Sequence, residues 1–333
     1  MRLISAYASD TVSIGPVKKV ILAAPRGYCA GVDRAVQIVE RALDTCGAPV
    51  YVRKEIVHNR YVVTELEKRG AVFVDSEEEI PEGAVCVFSA HGVSPQVRAS
   101  AAERNLQVID ATCPLVTKVH LEAKKFARGG RKIVLVGHLG HEEIEGTAGE
   151  VPDSTYVIED VGQIDNLPLD SNEPVSYLTQ TTLSVDDTRD VVESLRHRFA
   201  DITGPHSNDI CYATQNRQVA VKALAPEADL VLIVGAVNSS NSNRMVEVAI
   251  KAGTPAYLVP DESYLEEDWL EGVETVGVSS GASAPEVLVE GVLSKLAEHG
   301  YDTVETKEVT SEDVTFSLPP WLREQVGATP TPD

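Results

Sequence analysis

The sequence lacks any apolar run long enough to cross a membrane: the longest, Leu230 to Val237, falls far short of the roughly 20 residues a spanning helix needs. The opening MRLISAYASD has no hydrophobic signal core, so a cytoplasmic location is expected. Blocks of Lys or Arg are also missing. With 29 basic against 51 acidic residues the net charge is −22, which repels phosphate backbones and anionic lipid and argues against nucleic-acid and membrane partners. Any anionic ligand must be held by local donors. Cysteine is scarce: five scattered residues with no C-x-x-C pair argue against a disulfide framework and against a structural zinc site. No G-x-G-x-x-G fingerprint occurs, so the chain is not expected to bind a dinucleotide of its own.

What is present is a folded α/β pattern. Hydrophobic residues at 43% and charged residues at 24% are globular values, and 333 residues allow two or three domains. Short β-branched runs alternate with amphipathic stretches: VILAAP (20–25), VDRAVQIVERAL (32–43), PVYVRKEIV (49–57), RYVVTELEKRG (60–70) and AVCVFSA (84–90). The succession returns twice, and each round opens on a Cys leading into a helix: RGYCAGVD, DATCPLVT and NDICYATQ. Counting from Cys29, Cys113 and Cys211, a polar strand-end residue follows 29, 28 and 28 positions on, at His58, His141 and Ser239. A second follows at 62, 68 and 72, at His91, Thr181 and Ser283. Three blocks are therefore expected, at 18–110, 111–207 and 208–302, with an N-terminal extension at 1–17 and a covering segment and tail at 303–333.

In parallel α/β units, strand ends and helix N-termini line a crevice at the carboxyl edge, so three such edges facing one centre would make one site. Cys29, Cys113 and Cys211 would meet there, whereas Cys46 and Cys86 read as ordinary helix-end and strand thiols. Core thiols, a nucleophile and metal ligands are the three readings, and three thiols without a short-spaced pair suit a metal or cluster that keeps one position open. The other residues at this edge, His58, His91, His141, Thr181, Ser239, Ser240, Asn241 and Ser283, are neutral donors, a cradle for a phosphate or diphosphate. In the run His141-Glu142-Glu143 a desolvated carboxyl can donate a proton, and Glu143, in the turn that His141 ends, is the favoured one. Rival readings are a zinc hydrolase or deaminase around H-x-E at His141, a serine hydrolase around Ser279 in GVSSG, and a cluster-bearing sensor or electron carrier.

Taken together, RGYCAGVDRA, HN at 58–59, SAHGVSP, DATCPLV, GHEEIEG, TQTTLSVDDT, DICYATQNRQ, NSSNSNR and GASAPE resemble the 4-hydroxy-3-methylbut-2-enyl diphosphate reductase family, collinearly over about residues 18–318. The resemblance implies a trefoil of three α/β domains around a 4Fe–4S cluster, held by Cys29, Cys113 and Cys211 with one iron free for the substrate hydroxyl. It implies a diphosphate held by His58, His91, His141, Ser239, Ser240, Asn241 and Ser283. Thr181 would orient the hydroxyl end and Glu143 would deliver a proton. The implied reaction is the last step of the methylerythritol phosphate isoprenoid route, with ferredoxin or flavodoxin as electron donor.

Overall fold

The computed structural model describes residues 18–323; the expected extension at 1–17 and the last ten residues of the tail lie outside the described residues. The chain opens with β1 (Lys19–Ala24) and α1 (Ala30–Cys46), then runs through β2 (Val50–Arg53), α2 (Arg60–Lys68), β3 (Ala71–Val74), β4 (Val85–Phe88), α3 (Pro95–Glu103) and β5 (Gln107–Asp110). A second round follows as α4 (Pro114–Arg128), β6 (Lys132–Val136), α5 (Glu142–Glu150), β7 (Thr155–Ile158), β8 (Val175–Thr179), α6 (Val185–Arg198) and β9 (Ile202–Thr203). The third is α7 (Tyr212–Leu224), β10 (Leu230–Val234), α8 (Ser240–Lys251), β11 (Ala256–Val259), β12 (Thr275–Ser280), α9 (Glu286–Glu298) and β13 (Thr303–Glu308).

Every strand pairing among the described residues is parallel, as β-α-β crossovers require. Three sheets result, ordered β3-β2-β4-β5, β7-β6-β8-β9 and β11-β10-β12-β1-β13. They are one pattern repeated, and the expected three-lobed α/β arrangement is the observed one. The sheets divide the chain differently from the expected boundaries in two respects, of which the first is that β13, expected in the covering segment, is the outer strand of the third sheet. β1, which opens the block 18–110, lies in the third sheet, pairing from Lys19↔Thr275 to Leu22↔Val278. It fills the place beside β12 that β5 fills beside β4 and β9 beside β8. The cause is the crossover: each Cys-led helix leaves the fourth strand of one sheet and passes to the next lobe, and the third lobe receives its fourth strand from the N-terminus.

Helix α1 shows how local pattern becomes packing. Ala35, Ile38, Val39 and Ala42 fall at i, i+3, i+4 and i+7 and are fully buried against Val50, Val52 and Val87 of the first sheet. Truncating Ile38 to Ala would cost about 2–5 kcal/mol by lost burial and the void it leaves. The strand expected over 49–57 stops at Arg53, because Lys54 takes a left-handed backbone (φ 59) and its N–H donates to Val74 O at 2.7 Å. That turn aims residues 55–59 at the centre of the molecule. β13 adds an outer strand to the third sheet, and beyond it Phe316 reaches the central cavity while Leu318 and Leu322 pack on the first lobe. The segment expected to cover the centre thus bridges two lobes.

Candidate active site

The three carboxyl edges line one central cavity. Cys29, Cys113 and Cys211 all line it, and each is the N-cap of the helix that follows, α1, α4 or α7. Their backbones are fixed alike. Cys29 N–H donates to Ala282 O (3.3 Å), Cys113 N–H to Ala90 O (3.0 Å) and Cys211 N–H to Thr181 O (3.1 Å), in each case a loop that follows the third strand of a lobe. All three are free thiols facing helix N-termini, where the dipole favours negative sulfur. Burial works the other way, pushing Cys113 up to about 12 and Cys211 up to about 11.

Opposite the thiols stands a wall of three imidazoles. His58 and His91 stack with centroids 4.1 Å apart, and His141 meets both edge-on at 5.4 and 5.8 Å. His141 caps α5 in an unusual way: its Nδ1 accepts Glu143 N–H at 3.2 Å, so the neutral ring carries its proton on Nε2. Burial, then the neighbouring rings His91 and His58, lower its pKa to about 3, so it stays neutral. Burial also lowers His91.

Glu143 is buried in the same cavity. Its Oε1 accepts Thr181 N–H (2.6 Å) and its Oε2 accepts the Thr181 hydroxyl (2.9 Å). Burial raises its pKa to about 7, outweighing both Thr181 bonds. On the third side, Ser239 caps α8, accepting Ser242 N–H at 3.4 Å, and Ser240 and Asn241 form that helix's first turn. Ser240 Oγ and Asn241 Oδ1 are buried with no partner; the hydroxyl can donate to an anion, whereas the amide must turn to present Nδ2, which here meets Met245 Sδ at 3.7 Å. Ser283 also lines the cavity, although its hydroxyl is already donated to His58 O at 2.9 Å. The structure therefore brings all twelve residues singled out in the sequence to one cavity, and no described Lys or Arg lines it.

Sequence reasoning missed others. Glu55 and Glu142 hold His58 and His91 from behind, at 3.2 and 3.1 Å; Glu142 was visible beside Glu143, and Glu55 lies three residues before His58. Tyr212 Oη accepts Ala30 N–H at 3.0 Å, tying two of the Cys-led helices together. The serine-hydrolase reading is overturned, because Ser279 is fully buried inside β12 rather than exposed at a strand-to-helix elbow.

This geometry defines a class: a three-lobed α/β protein that brings three helices, each capped by a cysteine, to one cavity lined by neutral polar side chains. The LytB protein family matches residues 20–297, and the chain belongs to that family. It is 60% identical over 318 residues to the 4-hydroxy-3-methylbut-2-enyl diphosphate reductase of Mycolicibacterium paratuberculosis, covering 95% of this chain and 96% of the relative. The enzyme of the same name from Nocardia farcinica is 59% identical, over 94% of each chain. The structure of the E-1-hydroxy-2-methyl-but-2-enyl-4-diphosphate reductase from Plasmodium falciparum superposes with a TM-score of 0.90 at 37% identity, covering 93% of this chain and 98% of the other. Among the described residues no helix is long and apolar enough to cross a membrane.

Proposed function

We propose that the protein is a 4-hydroxy-3-methylbut-2-enyl diphosphate reductase. It removes the allylic hydroxyl of that substrate as water, using two electrons and two protons, and yields isopentenyl and dimethylallyl diphosphate. The observation that carries the reading is the convergence of three thiols, an imidazole wall and a protonatable buried carboxyl on one cavity, in a chain about 60% identical to enzymes of that name.

Cys29, Cys113 and Cys211 would hold the 4Fe–4S cluster that the family resemblance implies. The donor set fits. Their helix caps favour thiolate, yet burial outweighs the helix N-terminus and keeps Cys113 and Cys211 protonated until a metal cation arrives. Residue 31 is Gly; a Cβ there would press on Cys113 Sγ at 2.7 Å, so the space beside the thiols is kept open. When bound, the cluster supplies the electrons and a Lewis-acid position for loss of the hydroxyl.

The chain's own residues bind, orient and protonate. The His141 Nε2–H, the buried Ser240 hydroxyl, the Asn241 amide and the N-terminus of α8 receive the diphosphate, joined by His58, His91, Ser239 and Ser283. Thr181 faces the hydroxyl end. With its pKa near 7, Glu143 carries a proton for much of the time at neutral pH. When that proton sits on Oε2, the Thr181 hydroxyl turns to accept it and offers its own hydrogen to the cavity, so the pair relays a proton at Thr181 Oγ1. Val57, Val116 and Phe316 keep bulk water away.

We assign electron delivery to ferredoxin or flavodoxin, as the resemblance implies, and a cytoplasmic location. The test is anaerobic purification, with iron and sulfide counted per chain, then substrate added to the reduced protein. About four of each, with substrate-dependent oxidation and both products by mass spectrometry, is the expected result. Colourless protein after cluster reconstitution would overturn it.

A further inference from the structure

Two carboxylates stand behind the imidazole wall, and the reaction above gives neither a task. Glu142 Oε2 lies 3.1 Å from His91 Nδ1 and accepts the Ser89 hydroxyl at 3.3 Å. Glu55 Oε2 lies 3.2 Å from His58 Nδ1 and accepts Asn238 Nδ2–H at 2.9 Å. His141 is arranged oppositely: its Nδ1 is an acceptor, so it donates from Nε2 as a neutral ring. A ring whose Nδ1–H is held by a carboxylate has a bare Nε2 when neutral, and can donate to an anion from that atom only as imidazolium. Glu142 and Glu55 also line a second cleft, with Lys54, Asp75 and Asn238, so both carboxylates join that cleft to the buried rings.

We propose that Glu142 is a positioning residue that makes His91 a proton-accepting member of the diphosphate cradle. Its carboxylate fixes Nδ1–H, turns Nε2 towards the cavity, and supports uptake of one proton there as the diphosphate arrives. The inference rests on the diphosphate reading of the cavity. His91 is faced by Glu142 from α5, by the stacked His58 and by Glu55 from the loop after β2, by His141 edge-on, and by Ser89 at 3.3 Å. Burial and His58 hold its pKa below the ordinary range despite Glu142 and Glu55, so the empty site presents a neutral ring at pH 8. A diphosphate placed against Nε2 adds negative charge on the other side of the ring and reverses that balance. One proton from solvent joins Nε2 on binding and leaves with the product; no covalent bond changes.

The test is anaerobic titration calorimetry of the cluster-loaded enzyme with isopentenyl diphosphate at pH 8, in buffers of different ionisation enthalpy. The ligand's terminal phosphate, with a second pKa of about 6, is already ionised there, so the counted protons belong to the protein. Wild type is expected to take up about one proton per ligand or more. Glu142→Gln keeps an acceptor for Nδ1–H but removes the charge; uptake should fall clearly, with Kd and KM about tenfold higher and kcat within about twofold. Glu142→Asp, which restores the charge, should recover the uptake and guards against a Gln variant that folds poorly. Weaker binding with an unchanged proton count would reduce Glu142 to a structural prop and overturn the proposal, as would wild-type binding without uptake. No binding by any of the proteins would instead overturn the diphosphate reading of the cavity.

Discussion

Gly31→Ala is expected to weaken the hold on the metal cluster while leaving the fold intact. Gly31 is the second residue of α1, and a Cβ on its backbone falls 2.7 Å from Cys113 Sγ and 3.8 Å from Cys29 Sγ. Contacts of this kind are comfortable at about 3.5–4.0 Å, so the Cys113 sulfur must retreat by roughly 1 Å. For a free thiol the retreat is cheap. Sγ is the tip of a one-torsion side chain that makes no capping hydrogen bond, and Ala is preferred to Gly in a helix by up to ~1 kcal/mol. The metal-free protein should therefore change in stability by less than about 1 kcal/mol in either direction.

The loaded protein has no such freedom, because metal–ligand distances tolerate only about ±0.2 Å. An overpacking cost of about 1–3 kcal/mol then falls on the holo form alone, which corresponds to roughly 5–150-fold weaker retention of the cluster. Iron and acid-labile sulfide per chain after anaerobic reconstitution, followed over hours against a chelator, measure that retention. Thermal unfolding of the stripped proteins measures the other half. A Gly31→Ala protein that keeps wild-type iron and loses it at the wild-type rate would refute the reasoning, and so would one whose stripped form melts far below the wild type.

Glu143→Gln should retain the cluster and bind the diphosphate normally while turnover falls by about 10²–10⁴, since the proton is lost and the shape kept; near-normal kcat would remove Glu143 from its role. Because burial raises the Glu143 carboxyl to about 7, its acid form is full well below that pH and is lost as pH rises through it. The kcat profile should accordingly fall above about pH 7, approaching tenfold per unit, and a flat profile to pH 9 would contradict it. Cys113→Ser should lower iron content and activity together. Glu312→Ala should destabilise the protein by about 3 kcal/mol in urea titrations, because it strands the fully buried Arg217 guanidinium, which otherwise donates to Glu312 Oε1 at 3.0 Å and Gly27 O at 2.6 Å.

The repeat was legible because the fold places equivalent residues at equivalent strand ends. His58, His141 and Ser239 each stand five residues past the first strand of a lobe, and His91, Thr181 and Ser283 each follow the third, which is what their offsets from Cys29, Cys113 and Cys211 record. Residues whose work depends on a partner far away in the chain left no such trace. Glu142 meets His91 across 51 positions, Glu55 meets Asn238 across 183, and Glu312 meets Arg217 across 95; no local periodicity encodes those distances. The exchange of β1 into the third sheet was hidden for the same reason. As a run, VILAAP announces a buried strand but not its neighbours, and only the vacant place beside β12 decides where it goes. Lys54 ended a strand that composition alone would have continued, since a left-handed turn at a lysine has no sequence signature.

The charge of the chain gives the cradle its logic. Fixed Lys or Arg side chains would have been the direct way to hold a diphosphate in a protein carrying −22, yet none among the described residues lines the cavity. A permanent cation lining the cavity beside three half-buried thiols would favour thiolate in the empty site and attract any passing anion into it. Imidazoles avoid both effects. His141 donates as a neutral ring, and His91, held by Glu142, becomes positive only when a ligand supplies the negative charge that makes protonation favourable. Positive charge thus enters the site together with the anion it neutralises and leaves with it, so His91 and His141 stay neutral in the empty cavity while His91 acts as a cation in the filled one.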